Sequence, residues 1–227
     1  VYRFAAWGFT AGASRLFGQA NLAHKLSWIS IITHMQDPIL TPVTAFTNSI
    51  YITQLDFDLD SVRDKILDLE AHLPGVHKSN RGGWQSESFG ADTVPDFMQP
   101  VVDKISRLLW PVYTQMTLAE HPLMSNFWFN VNRQGNTNSV HNHPRCYFSA
   151  VWYVNVPNNS GDLVFYRPDM MLDYLPVRDA TSPNNFGKYE VYPKNNQLVI
   201  FPSYLYHSVT DNCNTQEPRI SVAFNFK

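Results

Sequence analysis

The second half of the chain is a succession of short apolar segments separated by Asn, Gly and Pro turns. The segments are rich in β-branched and aromatic residues, which favour strands. The predicted strands are NFWFNVN (126–132), CYFSAVWYVNV (146–156), DLVFYRP (162–168), YEVYP (189–193), QLVIFP (197–202) and RISVAFNF (219–226). An earlier segment, SIYITQLDF (49–57), has the same character. From Ser125 onward the chain is therefore predicted to be β-rich.

Two stretches in the front half instead have apolar residues at helical spacing. DLDSVRDKILDLEAHL (58–73) is predicted to be a helix with Asp60 or Ser61 as its N-cap. VPDFMQPVVDKISRLLW (94–110) is a second amphipathic helix, which Pro111 should end or kink. SNRGGWQSESFG (79–90), between them, is predicted to be a polar loop.

This order of elements predicts an α+β, mainly β fold in which N-terminal helices buttress a sandwich or barrel. Residues 41–227 show no repeat or linker, so they are predicted to form a single domain. Residues 1–40 are predicted to be an N-terminal extension. Its first 36 residues contain Arg3, Arg15 and Lys25 but no acid before Asp37, which resembles an organelle presequence. Non-native or upstream sequence ahead of a start at Met35 is the alternative.

Composition narrows the possible partners. The 227 residues include 17 basic and 19 acidic side chains, so the net charge of −2 does not indicate a nucleic-acid-binding protein. No apolar run approaches the roughly 20 residues of a membrane-spanning helix. Cys146 and Cys213 are isolated and are predicted to be free thiols in a reducing compartment rather than a disulfide. The expected location is cytoplasmic, or an organelle if residues 1–34 are a presequence.

Three histidines are candidate metal ligands. His141 and His143 in the segment HNHPR are two residues apart at a predicted strand edge, where both side chains would point to one face. His207 follows a buried strand and the Pro202 turn. Two or three imidazoles with open positions suit a catalytic first-row metal, iron above all. Taken alone, His207 could be a structural histidine that is hydrogen-bonded beside aromatic residues. Taken alone, the His141-x-His143 spacing could occur by chance.

The last predicted strand supplies a candidate anion site. Arg219 and Ser221 would share one face, because the alternate residues Ile220, Val222 and Phe224 are apolar. Burying an arginine costs free energy unless the side chain pairs with an anion. Its planar guanidinium is suited to bidentate hydrogen bonding with a carboxylate. The alternative is an exposed Arg219 on an edge strand, paired with Glu217.

Together these residues resemble the Fe(II)- and 2-oxoglutarate-dependent oxygenases, with the order His-x-(acid)…His…Arg-x-Ser. SVHNHPRCYFSAVWYVNVPNNSGDLVFYRP (139–168), NNQLVIFPSYLYHSVTDN (195–212) and PRISVAFNF (218–226) resemble blocks of one bacterial and phage subgroup, and RGGWQS (81–86) resembles its front end. The resemblance covers roughly residues 41–227.

The resemblance implies a double-stranded β-helix, a jelly-roll or cupin-like barrel, with the metal at one mouth. It implies that His141 and His207 are iron ligands and that Arg219 binds 2-oxoglutarate, assisted by Ser221. Tyr153 and Asn130 are further candidates for binding that cosubstrate.

One position departs from the family pattern, because His143 stands where most members have a carboxylate. Either His143 is the third ligand, or it lies outside the coordination sphere and Asp162 or water completes it. The implied partners are 2-oxoglutarate, dioxygen and an unknown substrate, with ascorbate as a reductant in assays. A homodimer through the front helices is possible.

Two other functions fit part of the pattern. In GNTNSVHNH (135–143) a glycine precedes His-x-His as in cupins, although the glutamate that cupins carry next is missing. The alternatives are therefore a cupin-type three-histidine metal dioxygenase and a non-catalytic metal-binding barrel. Tyr147, Trp152, Tyr166 and the segment 169–188 are candidates for lining the entrance to the site.

Overall fold

The structure, a computed structural model, describes residues 48–116, 122–168, 187–214 and 216–227. The predicted extension at 1–40 and most of the candidate entrance segment (169–186) lie outside these residues. The described elements are two helices, α1 (Leu59–His72) and α2 (Gln99–Gln115), one 3₁₀ turn at Ala91–Thr93, and eleven strands. The strands are β1 (Tyr51–Gln54), β2 (Asn80–Arg81), β3 (Trp84–Gln85), β4 (Met124–Asn132), β5 (Thr137–His141), β6 (Phe148–Asn155), β7 (Leu163–Tyr166), β8 (Lys188–Val191), β9 (Gln197–Pro202), β10 (His207–Val209) and β11 (Arg219–Phe226).

The strands form two antiparallel sheets. One has six strands in the order β1-β9-β6-β11-β4-β3, and the other has five in the order β2-β5-β10-β7-β8. Consecutive strands of the chain repeatedly fall in opposite sheets, as in a jelly roll. The predicted double-stranded β-helix is confirmed, although in the described part of the chain the sheets share no strand and the barrel is not closed.

The six-stranded sheet separates the helices from the interior of the barrel. On β11, Ile220, Val222, Phe224 and Phe226 pack into a core cluster with residues of both helices. Ile66 of α1 and Ile105 of α2 are fully buried in the same cluster. The alternate residues of β11, beginning with Arg219, face the other sheet. The predicted buttressing by N-terminal helices is therefore confirmed.

Both predicted helices are present, with differences at one end of each. The N-cap of α1 is Asp58, whose side chain accepts a hydrogen bond from the Ser61 backbone N–H, so neither Asp60 nor Ser61 is the cap. Asp60 lies in the first turn, where a carboxylate is favoured by the helix dipole. Helix α2 does not end at Pro111 but continues to Gln115. Neither of these helices has the length and apolar character needed to cross a membrane.

Four short strands were not predicted. The stretch 79–90, predicted to be a loop, contains β2 and β3. Strands β5 and β10 carry His141 and His207. β2, β3 and β10, with two or three residues each, are too short to show the period-two alternation on which such predictions depend.

Candidate metal and cosubstrate site

Pairing between strands brings His141 and His207 together. β10 pairs with β5 with His207 directly opposite His141, and the ring centroids are 4.3 Å apart. Each ring is oriented in the same way, because its Nδ1 lies within hydrogen-bond distance of the backbone carbonyl two residues earlier. These distances are 2.7 Å to Ser139 O and 2.9 Å to Leu205 O. With Nδ1–H donating to a carbonyl, Nε2 of each ring is left as a free acceptor.

His143 completes the cluster, but not by the predicted route. β5 ends at His141, so His143 lies beyond the strand and the side chains do not converge through a strand pleat. Its ring centroid nevertheless lies 5.1 Å from that of His141 and 5.0 Å from that of His207. One nitrogen from each of the three rings lies within 4.8 Å of the others. Among the described residues, this group contains no carboxylate, and Asp162 is not a member of it.

Burial keeps these imidazoles neutral. Loss of solvation, together with a smaller effect of the neighbouring His141 imidazole, lowers the pKa of His207 to about 3 and that of His143 to about 4. Burial also lowers the pKa of His141. The Nε2 atoms of His143 and His207 are 3.2 Å apart, so two lone pairs would face each other unless a cation or a proton lies between them. Neutral imidazoles converging in this way are suited to a divalent transition metal.

Arg219 is buried on a central strand. It is 2% exposed, and β11 lies between β4 and β6, which excludes the alternative of an exposed edge-strand arginine. Its Nη1 is 3.5 Å from the Gly161 carbonyl oxygen, while its Nε has no hydrogen-bond partner among the described residues. Burial lowers the pKa of this guanidinium. A buried cation with an unused donor fits an anionic ligand such as a carboxylate.

Two further polar side chains flank Ser221 on the same face of the sheet. In the strand pairing, Ser221 lies opposite Tyr153 of β6 on one side and Asn130 of β4 on the other. The Arg219 Cζ is 6.0 Å from the centroid of the Tyr153 ring. The Tyr153 hydroxyl is buried without a partner in the described structure, and burial raises its pKa to about 12, so it remains a donor. These unused donors fit the carboxylate of 2-oxoglutarate.

A single cavity between the sheets joins the two groups of residues. It is lined by all seven predicted site residues: His141, His143, His207, Arg219, Ser221, Tyr153 and Asn130. The prediction missed other lining residues, among them Trp128 and Ser149. Both could have been found from strand periodicity, since Trp128 lies two residues before Asn130 and Ser149 lies four before Tyr153.

The remaining candidates lie elsewhere or have other surroundings. Trp152 is fully buried in the core cluster beneath the helices, so this candidate does not line the entrance. Tyr147 is exposed, and Tyr166 is half-buried with its hydroxyl 3.0 Å from Ser208 Oγ. Cys146 and Cys213 are free thiols, as predicted.

Comparison with known proteins places this site in a family. Residues 126–225, from β4 almost to the end of β11, match the family model described as "Putative 2OG-Fe(II) oxygenase". The matched segment contains the three histidines and Arg219. This segment of the chain matches the 2OG-Fe(II) oxygenase family. No curated protein sequence matches the chain.

Solved structures share the fold of this chain. A prolyl-4-hydroxylase from Pseudomonas putida aligns with a TM-score of 0.57 at 17% identity, covering 80% of this chain and 93% of that one. HygX from Streptomyces hygroscopicus, solved with nickel and 2-oxoglutarate bound, aligns at 0.52 and 13% identity, covering 79% and 83%. The epimerase SnoN from nogalamycin biosynthesis aligns at 0.57 and 16% identity, covering 79% and 76%. At these identities the likeness establishes the fold.

The oxygenase family and the three-histidine site together identify the metal and cosubstrate as Fe(II) and 2-oxoglutarate, with dioxygen as the second cosubstrate. The resemblance seen in the sequence is therefore confirmed at the level of family, fold and cofactors.

Proposed function

We propose that this protein is an Fe(II)- and 2-oxoglutarate-dependent dioxygenase that couples decarboxylation of 2-oxoglutarate to oxidation, by default hydroxylation, of a further substrate. One observation carries the proposal: three neutral imidazoles and a buried guanidinium with an unused donor line the same cavity. The overall reaction would convert 2-oxoglutarate, dioxygen and the substrate C–H group to succinate, carbon dioxide and the C–OH product.

His141, His143 and His207 would hold the iron. When bound, Fe(II) supplies the redox chemistry with dioxygen that this reaction needs. Because all three ligands would be neutral, the protein would not offset the metal charge, and an anionic cosubstrate would bind more strongly. The backbone carbonyls that accept from Nδ1 of His141 and His207 would keep both Nε2 atoms directed at the metal.

Arg219 would bind the distal carboxylate of 2-oxoglutarate. The guanidinium is buried, so its hydrogen bonds to a carboxylate would not compete with bulk water. The Tyr153 hydroxyl would donate to the same group, and Ser221 and Asn130 would border it. The apolar lining residues Phe201, Leu163 and Val209 would keep water from the bound cosubstrate.

Succinate formation without added substrate tests the proposal. Purified protein would be incubated with Fe(II), ascorbate and 2-oxoglutarate in air, and succinate would be measured. We expect slow succinate production that depends on both metal and dioxygen and that disappears in His207→Ala. Metal-loaded protein that binds 2-oxoglutarate but yields no succinate, with or without metabolite extracts, would refute the dioxygenase assignment.

The alternative functions give different results in the same assays. A cupin-type three-histidine dioxygenase would bind metal but would have no requirement for 2-oxoglutarate or for Arg219. A non-catalytic barrel would consume no dioxygen. The related structure of SnoN is described as that of an α-ketoglutarate-dependent epimerase, so the product formed from a candidate substrate must be identified.

A homodimer through the front helices and the cytoplasmic or organellar location stay predictions. Size-exclusion chromatography with light scattering would decide the oligomeric state.

A further inference from the structure

His143 is placed differently from the other two histidines. Outside the strands, it is fixed through its main chain, because its backbone N–H donates to the Ser203 carbonyl at 2.9 Å. The preceding Asn142 reaches the next carbonyl, with Nδ2 at 3.5 Å from Tyr204 O. The position of His143 therefore depends on where residues 203 and 204 lie.

Ser203 is in turn the end of a buried polar row that crosses three strands. Its Oγ is 2.8 Å from Ser149 Oγ on β6. Ser149 Oγ donates to Asn225 Oδ1 on β11 at 2.8 Å, and Asn225 Nδ2 donates to Asn126 Oδ1 on β4 at 3.0 Å. Ser203 is fully buried and Ser149 is 1% exposed, so water does not replace these bonds.

The direction of the row follows from its donors and acceptors. The single hydroxyl proton of Ser149 is used on the Asn225 carbonyl oxygen, so the Ser203 hydroxyl must donate to Ser149 Oγ. Removing the Ser149 hydroxyl would leave a buried donor on Ser203 and a buried acceptor on Asn225 without partners. Since such groups are costly when unpaired, Ser203 would shift toward another partner. Its carbonyl, which holds His143, would move with it.

We propose that the row Asn225–Ser149–Ser203 positions His143 for metal binding. This inference rests on the proposed role of His143 as the third ligand, and it adds a function for three side chains to which the proposed reaction assigns none. In this fold the first ligand pair is set by strand pairing, whereas the third is set by a hydrogen-bonded row. Ser149, Ser203 and Asn225 are positioning residues.

Anaerobic titration with Co(II) alone, followed by its visible absorption, tests the proposal without turnover. Ser149→Ala should weaken Co(II) binding about tenfold, at the lower end of what loss of a ligand-supporting partner costs, and should change the absorption bands that report coordination. Ser149→Thr keeps the hydroxyl and should retain most of the affinity and the wild-type bands.

A double-mutant cycle asks whether Ser149 acts through His143. In a His143→Ala background, Ser149→Ala should cause no further loss of Co(II) affinity, because the group it positions is gone. Full additivity of the two losses would overturn the proposal. So would wild-type affinity and spectrum in Ser149→Ala alone.

Controls separate local from general effects. Ser86→Ala removes another buried serine hydroxyl, one that accepts from the Phe129 backbone N–H of β4 and does not line the cavity, and should leave Co(II) binding unchanged. If Ser149→Ala does not fold, Ser203→Ala breaks the row at the bond nearest His143 and must show the same coupling. Failure of the wild-type protein to bind Co(II) would refute the proposed function itself. Normal wild-type binding with no effect of the row would refute only this inference.

Discussion

At the scale of single residues, the proposed metal ligand His207 can be tested against a histidine that lies outside the site. His207→Ala should abolish Fe(II) binding, because the metal would lose the imidazole that lies opposite His141 and would keep only two of its three proposed ligands. His72→Ala, an exposed histidine on α1, should leave binding unchanged. Anaerobic equilibrium titration with Fe(II) measures both. Undiminished binding in His207→Ala would remove this residue from the site.

The guanidinium of Arg219 should matter for the cosubstrate and not for the metal. Arg219→Ala should weaken 2-oxoglutarate binding by about 1.5–3 kcal/mol, the usual contribution of charged hydrogen bonds, while Fe(II) affinity stays near wild type. Equilibrium dialysis of 2-oxoglutarate against metal-loaded protein measures the effect. Arg133→Ala, which removes an exposed arginine paired with Glu70, is the control. Equal cosubstrate affinity in both variants would favour the cupin-type alternative.

At the scale of elements, the turn between β6 and β7 is sensitive to the addition of a single methyl group. Gly161 has φ +90°, and an added Cβ would collide with the Thr210 carbonyl oxygen. Gly161→Ala should therefore lower the free energy of unfolding by about 1–3 kcal/mol, as measured by urea denaturation. At Gly90 φ is −91° and nothing lies within 4 Å of an added Cβ, so Gly90→Ala should change stability little. A similar loss in both variants would contradict this explanation.

Elements also show how far the sequence can predict this protein. Long strands such as β4 and β11 and both helices have clear periodicity and were predicted, whereas β10, with three residues, shows none. The His141–His207 pair depends on which strands become neighbours, a long-range fact with no local signal. The order of histidines and arginine pointed to the site through family resemblance. The Ser149 row could not be predicted, because its members are distant in sequence and individually ordinary.

At the scale of the whole molecule, ligand binding should raise thermal stability, since ligands that bind only the folded state stabilise it. At a free concentration about 100-fold above Kd, each ligand contributes about 2.7 kcal/mol. For a chain of this size, that is a rise in Tm of roughly 5–11 °C. Differential scanning fluorimetry under nitrogen with Fe(II), then with 2-oxoglutarate added, measures the two increments. Arg219→Ala should lose the second and keep the first; losing both would mean that the residue supports the fold.

Strand β11 serves folding and chemistry with alternate residues. Its even-numbered positions, from Ile220 to Phe226, pack in the core cluster with the helices. Its odd-numbered positions Arg219, Ser221 and Ala223 line the cavity. A one-residue insertion or deletion within it would turn the guanidinium into the apolar core and a phenylalanine into the cavity. Stability and catalysis would be lost together. Natural variants of this strand should therefore differ by substitution and not by length, and changes in substrate preference should arise outside it.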